Sequence, residues 1–329
     1  MEHMNTILVT GGAGYIGSHT CRQLNEAGFK LVLVDSLYTG HRWAVPKNAK
    51  FIEGDAGDIA LMSQLMRDNA VSAVIHFAGY TVVPESVANP LKYYANNTCA
   101  SRNLIAACTD SGVKNILFSS TAAVYGVSET TMVDETSPTN PINPYGESKL
   151  MVEKILADVA KTGAINYVAL RYFNVAGAQP DGSLGQATPE ATHLIKVACE
   201  AACGKRDHVD IYGTDFDTAD GTGIRDYIHV VDLANAHVAA LDYLLKGGKS
   251  EIMNCGYGQG SSVREVLNMV MDVSGKKFKC VEKPRRAGDP PALIANSDKI
   301  QRVLGWKPQY NNLRTICETA YNWETHGKV

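Results

Sequence analysis

In the segment PYGESKLMVEKI, Pro144–Ile155, a tyrosine precedes a lysine by four residues at what reads as the first turn of a helix. Residues four apart share a helix face, so the Tyr145 hydroxyl and the Lys149 ammonium can reach one small volume. A free phenol ionises near about pH 10, too high for an efficient base at neutral pH, and a nearby ammonium favours the phenolate. Tyr145 is therefore a candidate general base, with Lys149 as the charge that activates it. By spacing alone an exposed surface pair is the commoner outcome, so the surrounding elements must decide.

The second chemical signal is TILVTGGAGYIGSHTCRQL, where a predicted strand runs through Gly11, Gly14 and Gly17 into a predicted helix. Glycines allow a tight turn and close backbone approach, and the helix start offers free N–H groups and a positive dipole end to a pyrophosphate. The next strand, LVLVD, ends on Asp35. A carboxylate there can accept hydrogen bonds from both adenosine ribose hydroxyls and would repel a 2′-phosphate, which favours NAD over NADP. The alternative, a glycine-rich turn beside a solvated aspartate, leaves the ordered sequence of strand, loop, helix and acid unexplained.

Elements able to position these groups are legible. The runs NTILVTG, KLVLVD, KFIEGD, AVIHFAG, NILFSS and YVALRYFNV read as strands separated by amphipathic helical stretches. This rhythm predicts βαβ units around a parallel sheet covered on both faces. It breaks after YFNVAGAQPDGSLGQATPE into segments rich in Gly, Pro, Asp and Thr, including GTDFDTADGTGIRDYIHV and KPRRAGDPP. The expectation is an α/β protein: a Rossmann-type doubly wound parallel sheet over 4–175 plus about 230–256, and a smaller loop-rich α/β unit over 176–229 and about 257–329. VVDLANAHVAALDYLL is expected to be a helix packed back on the first unit. Met1–His3, ahead of a second Met4, are left out of this division.

The 329 residues could bury a large core, and 45% are hydrophobic and 20% charged. A net charge of −3 provides no basic field for nucleic acid, so any anion must be held by local positive charge. No apolar run approaches a membrane span, and TILVTGG is too short for a signal-peptide core, so the expected location is the cytoplasm. The eight cysteines contain no C-x-x-C pair, and Cys199 with Cys203 supply too few ligands for a metal. No metal is expected, and the cysteines read as buried hydrophobes in a reducing compartment.

The G-x-x-G-x-x-G spacing followed by Tyr145-x-x-x-Lys149 resembles the extended short-chain dehydrogenase/reductases. HFAG, YYANN, FSSTAAVYG, NPYGESK, RYFNVAGA, DGTGIRDYIHVVDLA and PRRAGDPP together resemble the UDP-glucose 4-epimerases within them, over nearly the whole chain. The resemblance implies an NAD-dependent 4-epimerase acting on UDP-glucose and UDP-galactose. Gly11, Gly14, Tyr15, Ile16 and Gly17 would wrap the pyrophosphate, and Asp35 would hold the ribose. Asp55 and Ala56 would lie at the adenine, while Phe77, Ala78, Gly79, Asn96, Lys149 and Phe173 would line the rest of the cofactor. Some members carry a lysine two residues after FAG, where this chain has Thr81.

In the implied mechanism Tyr145 removes the proton of the sugar 4-hydroxyl, Thr121 hydrogen-bonds that oxygen, and hydride leaves C4 for NAD⁺. The 4-keto sugar turns its other face before hydride returns. Arg225 and Arg286 are the candidates for the diphosphate, since a guanidinium matches phosphate oxygens through paired donors. Asp289 would take the uridine ribose, with Asn174 and Leu194 lining the nucleotide site. In the family, a tyrosine seven places after the second arginine of PRR tends to confine members to glucose and galactose. This chain has Leu293 there, so UDP-N-acetylglucosamine is an expected further substrate. His193, His229 and His237 are expected to be surface or structural residues.

Rival readings share the fold. A nucleotide-sugar 4,6-dehydratase typically follows the Thr121 position with an Asp-Glu pair, whereas Ala122 and Ala123 follow here. A decarboxylase would need a uronic-acid carboxylate site, for which no separate signal exists. A non-catalytic NAD-binding regulator has no chemical need for Tyr145 and Lys149. Relatives commonly dimerise through helices matching roughly Asn97–Cys108 and Lys149–Val159, which implies a homodimer.

Overall fold

The computed structural model describes residues 5–128, 130–286 and 288–327; Met1–His3 and the expected limits at 4 and 329 lie outside the described residues. The strands are β1 Thr6–Thr10, β2 Lys30–Asp35, β3 Lys50–Glu53, β4 Val71–His76, β5 Asn115–Thr121, β6 Met132–Val133 and β7 Asn166–Tyr172. There follow β8 Asn174–Ala176, β9 His208–Tyr212, β10 Ile224–His229, β11 Glu251–Cys255, β12 Gly260–Ser262, β13 Lys279–Lys283 and β14 Ala292–Ala295. The helices are α1 Tyr15–Glu26, α2 Ile59–Asp68, α3 Val83–Ala88, α4 Pro90–Tyr93, α5 Ala100–Asp110 and α6 Pro144–Lys161. The remaining ones are α7 Leu194–Ala202, α8 Val230–Leu245, α9 Val263–Ser274, α10 Asp298–Leu304 and α11 Leu313–His326.

Seven parallel strands form the main sheet in the order β11-β7-β5-β4-β1-β2-β3. Its inner strands β1 and β2 are largely apolar runs because both faces are covered. Ile7, Val9, Leu33 and Ile75 face one core with Cys21 and Leu24 of α1 and Leu233, Ala236 and Leu241 of α8. Leu8, Val32, Val34 and Val74 face the other, with Met62 and Met66 of α2, Leu104 of α5 and Val152 and Leu156 of α6. The expected return of VVDLANAHVAALDYLL onto the first unit is α8. Two details were not anticipated. The polar-punctuated run EIMNC forms a seventh strand beside β7, and YVALRYFNV is split at Phe173 so that β8 leaves the sheet to pair with β10.

A second sheet, ordered β12-β10-β14-β6 with β8 beside β10, and a β9–β13 pair carry the rest of the chain. They are backed by α7, α9 and α11 through Ile195, Ala198, Val266, Val270 and Ile316. In the main sheet the chain first runs outward from β1 through β2 and β3, then from β4 through β5 and β7. The strand order therefore reverses between β1 and β4, and the carboxyl ends of these strands open the crevice where such sheets take their ligands.

Candidate functional site

The crevice is floored by the glycine loop. Gly11 adopts φ 72°, and a Cβ there would fall 2.6 Å from the Ala78 nitrogen. A Cβ on Gly17 would overlap the Gly11 carbonyl, whereas one on Gly14 meets only that oxygen, at 3.4 Å. The loop is thus closed against its own backbone and open on the Gly14 side, where the start of α1 presents free N–H groups. Asp35 is buried at the end of β2. Its Oδ2 accepts the Ala13 N–H at 2.9 Å and its Oδ1 accepts the Leu37 N–H at 2.8 Å, which fixes the carboxylate and leaves each oxygen a lone pair. These features fit a dinucleotide pyrophosphate and its ribose diol.

Tyr15 and Ile16 turn their side chains into packing, so only their backbone faces the crevice. The Tyr15 hydroxyl donates to the Gly177 carbonyl at 2.6 Å, and Ile16 packs on the α1–α8 core. Asp55 is exposed at the end of the crevice and accepts the Gly57 N–H at 2.8 Å, with Ala56 buried beside it. Phe77, Ala78 and Gly79 follow β4, with Phe77 against the His237 ring at 4.7 Å. A Cβ on Gly79 would lie 3.4 Å from Lys149 Nζ, which ties this loop to the catalytic candidates. Asn96 sits in a π-helical turn, Tyr94–Cys99, and donates to Asn97 Oδ1 at 3.1 Å.

Asn97 was missed by the sequence reading. It accepts the Tyr80 N–H at 2.8 Å and donates to the Tyr80 carbonyl at 3.0 Å and to Ser148 Oγ at 3.1 Å, clamping the loop after β4 to α6. Its signal was a pair of asparagines in the middle of a helical stretch, where their propensity is poor.

The catalytic candidates meet at the carboxyl end of β5. Asn143 caps α6 by accepting the Gly146 N–H, and Pro144 occupies its first turn, so the helix starts where the sequence expectation puts it. Tyr145, Lys149 and Thr121 are 9%, 3% and 8% exposed. Lys149 Nζ donates to the Ser119 carbonyl at 2.9 Å and lies 4.9 Å over the Phe118 ring. Burial pulls the Lys149 ammonium down to about 8. Burial also pushes the Tyr145 phenol up, and a hydrogen bond with Thr121 pulls it back. The partner that lowers the phenol is therefore Thr121 rather than the ammonium, because Lys149 is turned to the β5 backbone.

The residues expected on the sugar-nucleotide side come from β8, β10, β14 and the loop before it. Arg225 Nη2 donates to Asp289 Oδ1 at 3.0 Å and its Nη1 to the Ile224 carbonyl at 2.8 Å. The residue expected at the diphosphate and the one expected at the ribose are thus paired with each other. Arg286 is exposed and stacks over the Tyr212 ring at 3.9 Å. Asn174 donates to the Asp226 carbonyl at 3.2 Å, and Leu194 opens α7 against its core. Leu293 is the β14 register partner of Arg225 and packs in one cluster with Phe173, Tyr125 and Leu150. It therefore stands between the Arg225 side and the Phe173 side of the crevice.

His193 is an exposed residue whose Nδ1 pairs with Gln186 at 3.0 Å. His229 and His237 are buried: one caps α8 through the Val231 N–H, the other bonds the Leu233 carbonyl. All three have the surface or structural roles expected. Thr81 is exposed and carries no cation, while Lys92 of α4 lies 4.6 Å over the adjacent Tyr80 ring. Among the described residues no cluster of three or more His, Cys, Asp or Glu is arranged to hold a metal ion, and no helix is long and apolar enough to cross a membrane.

Comparison with known proteins bears directly on this arrangement. The profile of the NAD dependent epimerase/dehydratase family matches residues 7–256. The UDP-glucose 4-epimerase of Azospirillum brasilense is 54% identical over 97% of this chain and 91% of its own length. That of Lacticaseibacillus casei is 50% identical over 98% of this chain and 97% of its own. The crystal structure of UDP-glucose 4-epimerase from Brucella ovis in complex with NAD superposes with a TM-score of 0.94 at 45% identity, covering 96% of this chain and 97% of that one. The UDP-Glc/GlcNAc 4-epimerase of Campylobacter jejuni superposes with a TM-score of 0.86 at 49% identity, over 98% and 99% of the two chains. With its glycine loop, Asp35 and Tyr145–Lys149 pair in place, the chain belongs to the NAD-dependent epimerase/dehydratase family, among the UDP-glucose 4-epimerases.

Proposed function

We propose that the protein interconverts UDP-glucose and UDP-galactose through a transient 4-keto sugar, with NAD as resident cofactor. The observation that carries this reading is that Tyr145, Lys149 and Thr121 are buried together where α6 meets the carboxyl end of β5, with Lys149 against the Gly79 loop. In it Gly11, Gly14, Gly17 and the backbone of Tyr15 and Ile16 hold the pyrophosphate, and Asp35 the ribose. Asp55 and Ala56 serve the adenine, and Phe77–Gly79, Asn96, Lys149 and Phe173 the remainder. NAD held there would supply a hydride acceptor and donor at sugar C4, with no net redox change.

Tyr145 Oη takes the proton of the 4-hydroxyl and gives it back, while Thr121 Oγ1 holds the same oxygen in line. Lys149, at about 8, is mostly charged at neutral pH and is held on the Ser119 carbonyl beside the Gly79 loop, where it can orient the cofactor, while Thr121 lowers the phenol. Inversion requires the sugar to turn while the nucleotide stays fixed. Arg225 and Arg286 grip the diphosphate, Asp289 the uridine ribose, and Asn174 and Leu194 complete the nucleotide site. Leu293, an aliphatic residue beside Arg225 and smaller than tyrosine, supports conversion of UDP-N-acetylglucosamine as well.

The same reading divides the chain into a cofactor unit, 4–175 plus about 230–256, and a substrate unit, 176–229 plus about 257–329. It makes the protein a homodimer through α5 and α6, supported by exposed Leu91 and Val87 on the neighbouring segment. A cytoplasmic location is supported by eight free cysteines. Incubation with UDP-galactose and chromatography of the sugars tests the function: UDP-glucose is the expected product. A 4-keto-6-deoxy sugar would instead identify a dehydratase, and an unchanged substrate would refute the reading.

A further inference from the structure

The face of α6 that carries Tyr145 and Lys149 continues, four residues on, to Glu153. This carboxylate is 2% exposed and has no part in the chemistry above. Its Oε1 accepts the Ser120 hydroxyl at 2.5 Å, and its two oxygens accept Arg171 Nε and Nη2 at 3.0 and 2.6 Å. Helix α6 is thereby joined to two consecutive residues of β5, Lys149 to the Ser119 carbonyl and Glu153 to Ser120, on the face that also carries Tyr145 toward the next residue, Thr121. Arg171 is itself immobilised, because its Nη1 donates to Tyr125 Oη at 3.1 Å and Tyr125 donates to Asn254 Oδ1 at 2.7 Å. Asn254 Nδ2 in turn donates to the Val133 carbonyl of β6 at 2.9 Å.

From these two attachments and the Arg171 clamp we infer that Glu153, seated on Ser120, is a positioning residue that sets the height of Tyr145 against Thr121. A buried ion pair is a poor way to gain stability, since two apolar side chains of similar volume fill the space with no desolvation cost. What the pair adds is direction. The bidentate guanidinium admits one orientation of the carboxylate, and the carboxylate admits one seat for Ser120. The helix can then neither slide along β5 nor rotate, and a displacement of the phenol by a fraction of an ångström is felt in the chemical step. The inference rests on the proposed epimerase reading, which makes Tyr145 the base.

The test is Ser120→Ala, which removes the seat and leaves the ion pair, alongside the double replacement Glu153→Met with Arg171→Met. For Ser120→Ala, kcat should fall about tenfold with KM for UDP-galactose within about twofold. The acid limb of kcat should move to higher pH, since the phenol loses part of its bond to Thr121. The titratable groups facing that phenol are Lys149 on its own helix, Tyr93 from α4 and Tyr172 from β7, none of them replaced. In the double variant Tm should return near the wild-type value while kcat stays low. Crystal structures of both variants should show a longer Tyr145–Thr121 contact. A Ser120→Ala enzyme with wild-type kcat and pH limb, or a double variant with wild-type kcat, overturns the inference. A wild type that turns over no sugar refutes the epimerase reading instead, and the Tyr145–Thr121 distance still decides the positioning role.

Discussion

Lowering the pH from about 7.5 to about 5 should remove about 6–7 kcal/mol of folding stability, and four buried imidazoles supply the reason. His19 and His237 are pushed down to about 4, and His76 and His229 to about 3, in each case chiefly by burial. Their partners agree with neutral rings. His19 and His237 direct Nδ1 to the Tyr15 and Leu233 carbonyls, so Nδ1 carries the proton, and Nε2 is buried without a partner. His229 Nδ1 accepts the Val231 N–H at 3.1 Å and so cannot carry a proton without uncapping α8. In the unfolded chain the same rings ionise near about 6.5. A base whose folded value is depressed stabilises the fold above that unfolded value and loses the contribution as the pH falls towards the folded one, about 2 kcal/mol per ring at pH 5. Asp226 opposes the trend. Burial raises it to about 6 despite N–H donation from Tyr257, Gly258 and Ala295, so it takes up its proton more readily folded than unfolded. Acidification to pH 5 therefore returns on the order of 1 kcal/mol through this carboxyl. The remainder is comparable to the whole stability of an ordinary domain, about 5–15 kcal/mol. Urea titrations followed by tryptophan fluorescence across this range would measure it, and His237→Leu should flatten the dependence by about a quarter. An unfolding free energy constant to within about 1 kcal/mol between the two pH values would refute the reasoning.

Tyr145→Phe should retain its far-UV circular dichroism and its bound NAD but lose about 10²–10⁴-fold in turnover, the range for a general base; near-normal activity rules out the assignment. Asp35→Ala should weaken retention of NAD by about tenfold or more, read as the nucleotide content of the purified protein, because one side chain receives the ribose diol and orients Ala13 and Leu37. Full cofactor content would move the ribose elsewhere. Leu293→Tyr should leave UDP-galactose turnover within about threefold while abolishing that of UDP-N-acetylglucosamine, since a ring fills the wall beside Arg225. Equal loss with both sugars would make Leu293 a packing residue only.

The sequence reading reached furthest where function depends on local spacing. The glycine loop, Asp35 at a strand end and Tyr145 with Lys149 in the first turns of α6 are all set by residues close in the chain, and periodicity located the six strands that carry them. It failed where the partner lies far away. Nothing in GESKLMVEK indicates that Glu153 will meet Arg171, or in GIRDY that Arg225 will meet Asp289, because only the packed sheet brings those charges together. EIMNC is short and polar enough to read as loop until β7 offers it an edge. YVALRYFNV shows no break at Phe173, since both halves are equally apolar and only the pull of β10 separates them.

The bond from the Tyr15 hydroxyl to the Gly177 carbonyl has a consequence for how the sugar turns. It is part-buried, and on the surface nearby Arg22 of the same helix donates to Asp181 at 2.9 Å and also meets Ser183. The helix that opens the cofactor loop is therefore buttoned at both depths to the stretch that follows β8. A clam-like opening would have to break the inner button first, at a cost of about 1–3 kcal/mol for the carbonyl and hydroxyl left unpaired. A crevice fastened in this way would keep its width while a 4-keto sugar turned inside it, and the sugars it admits would be decided by the volume of its wall residues rather than by opening.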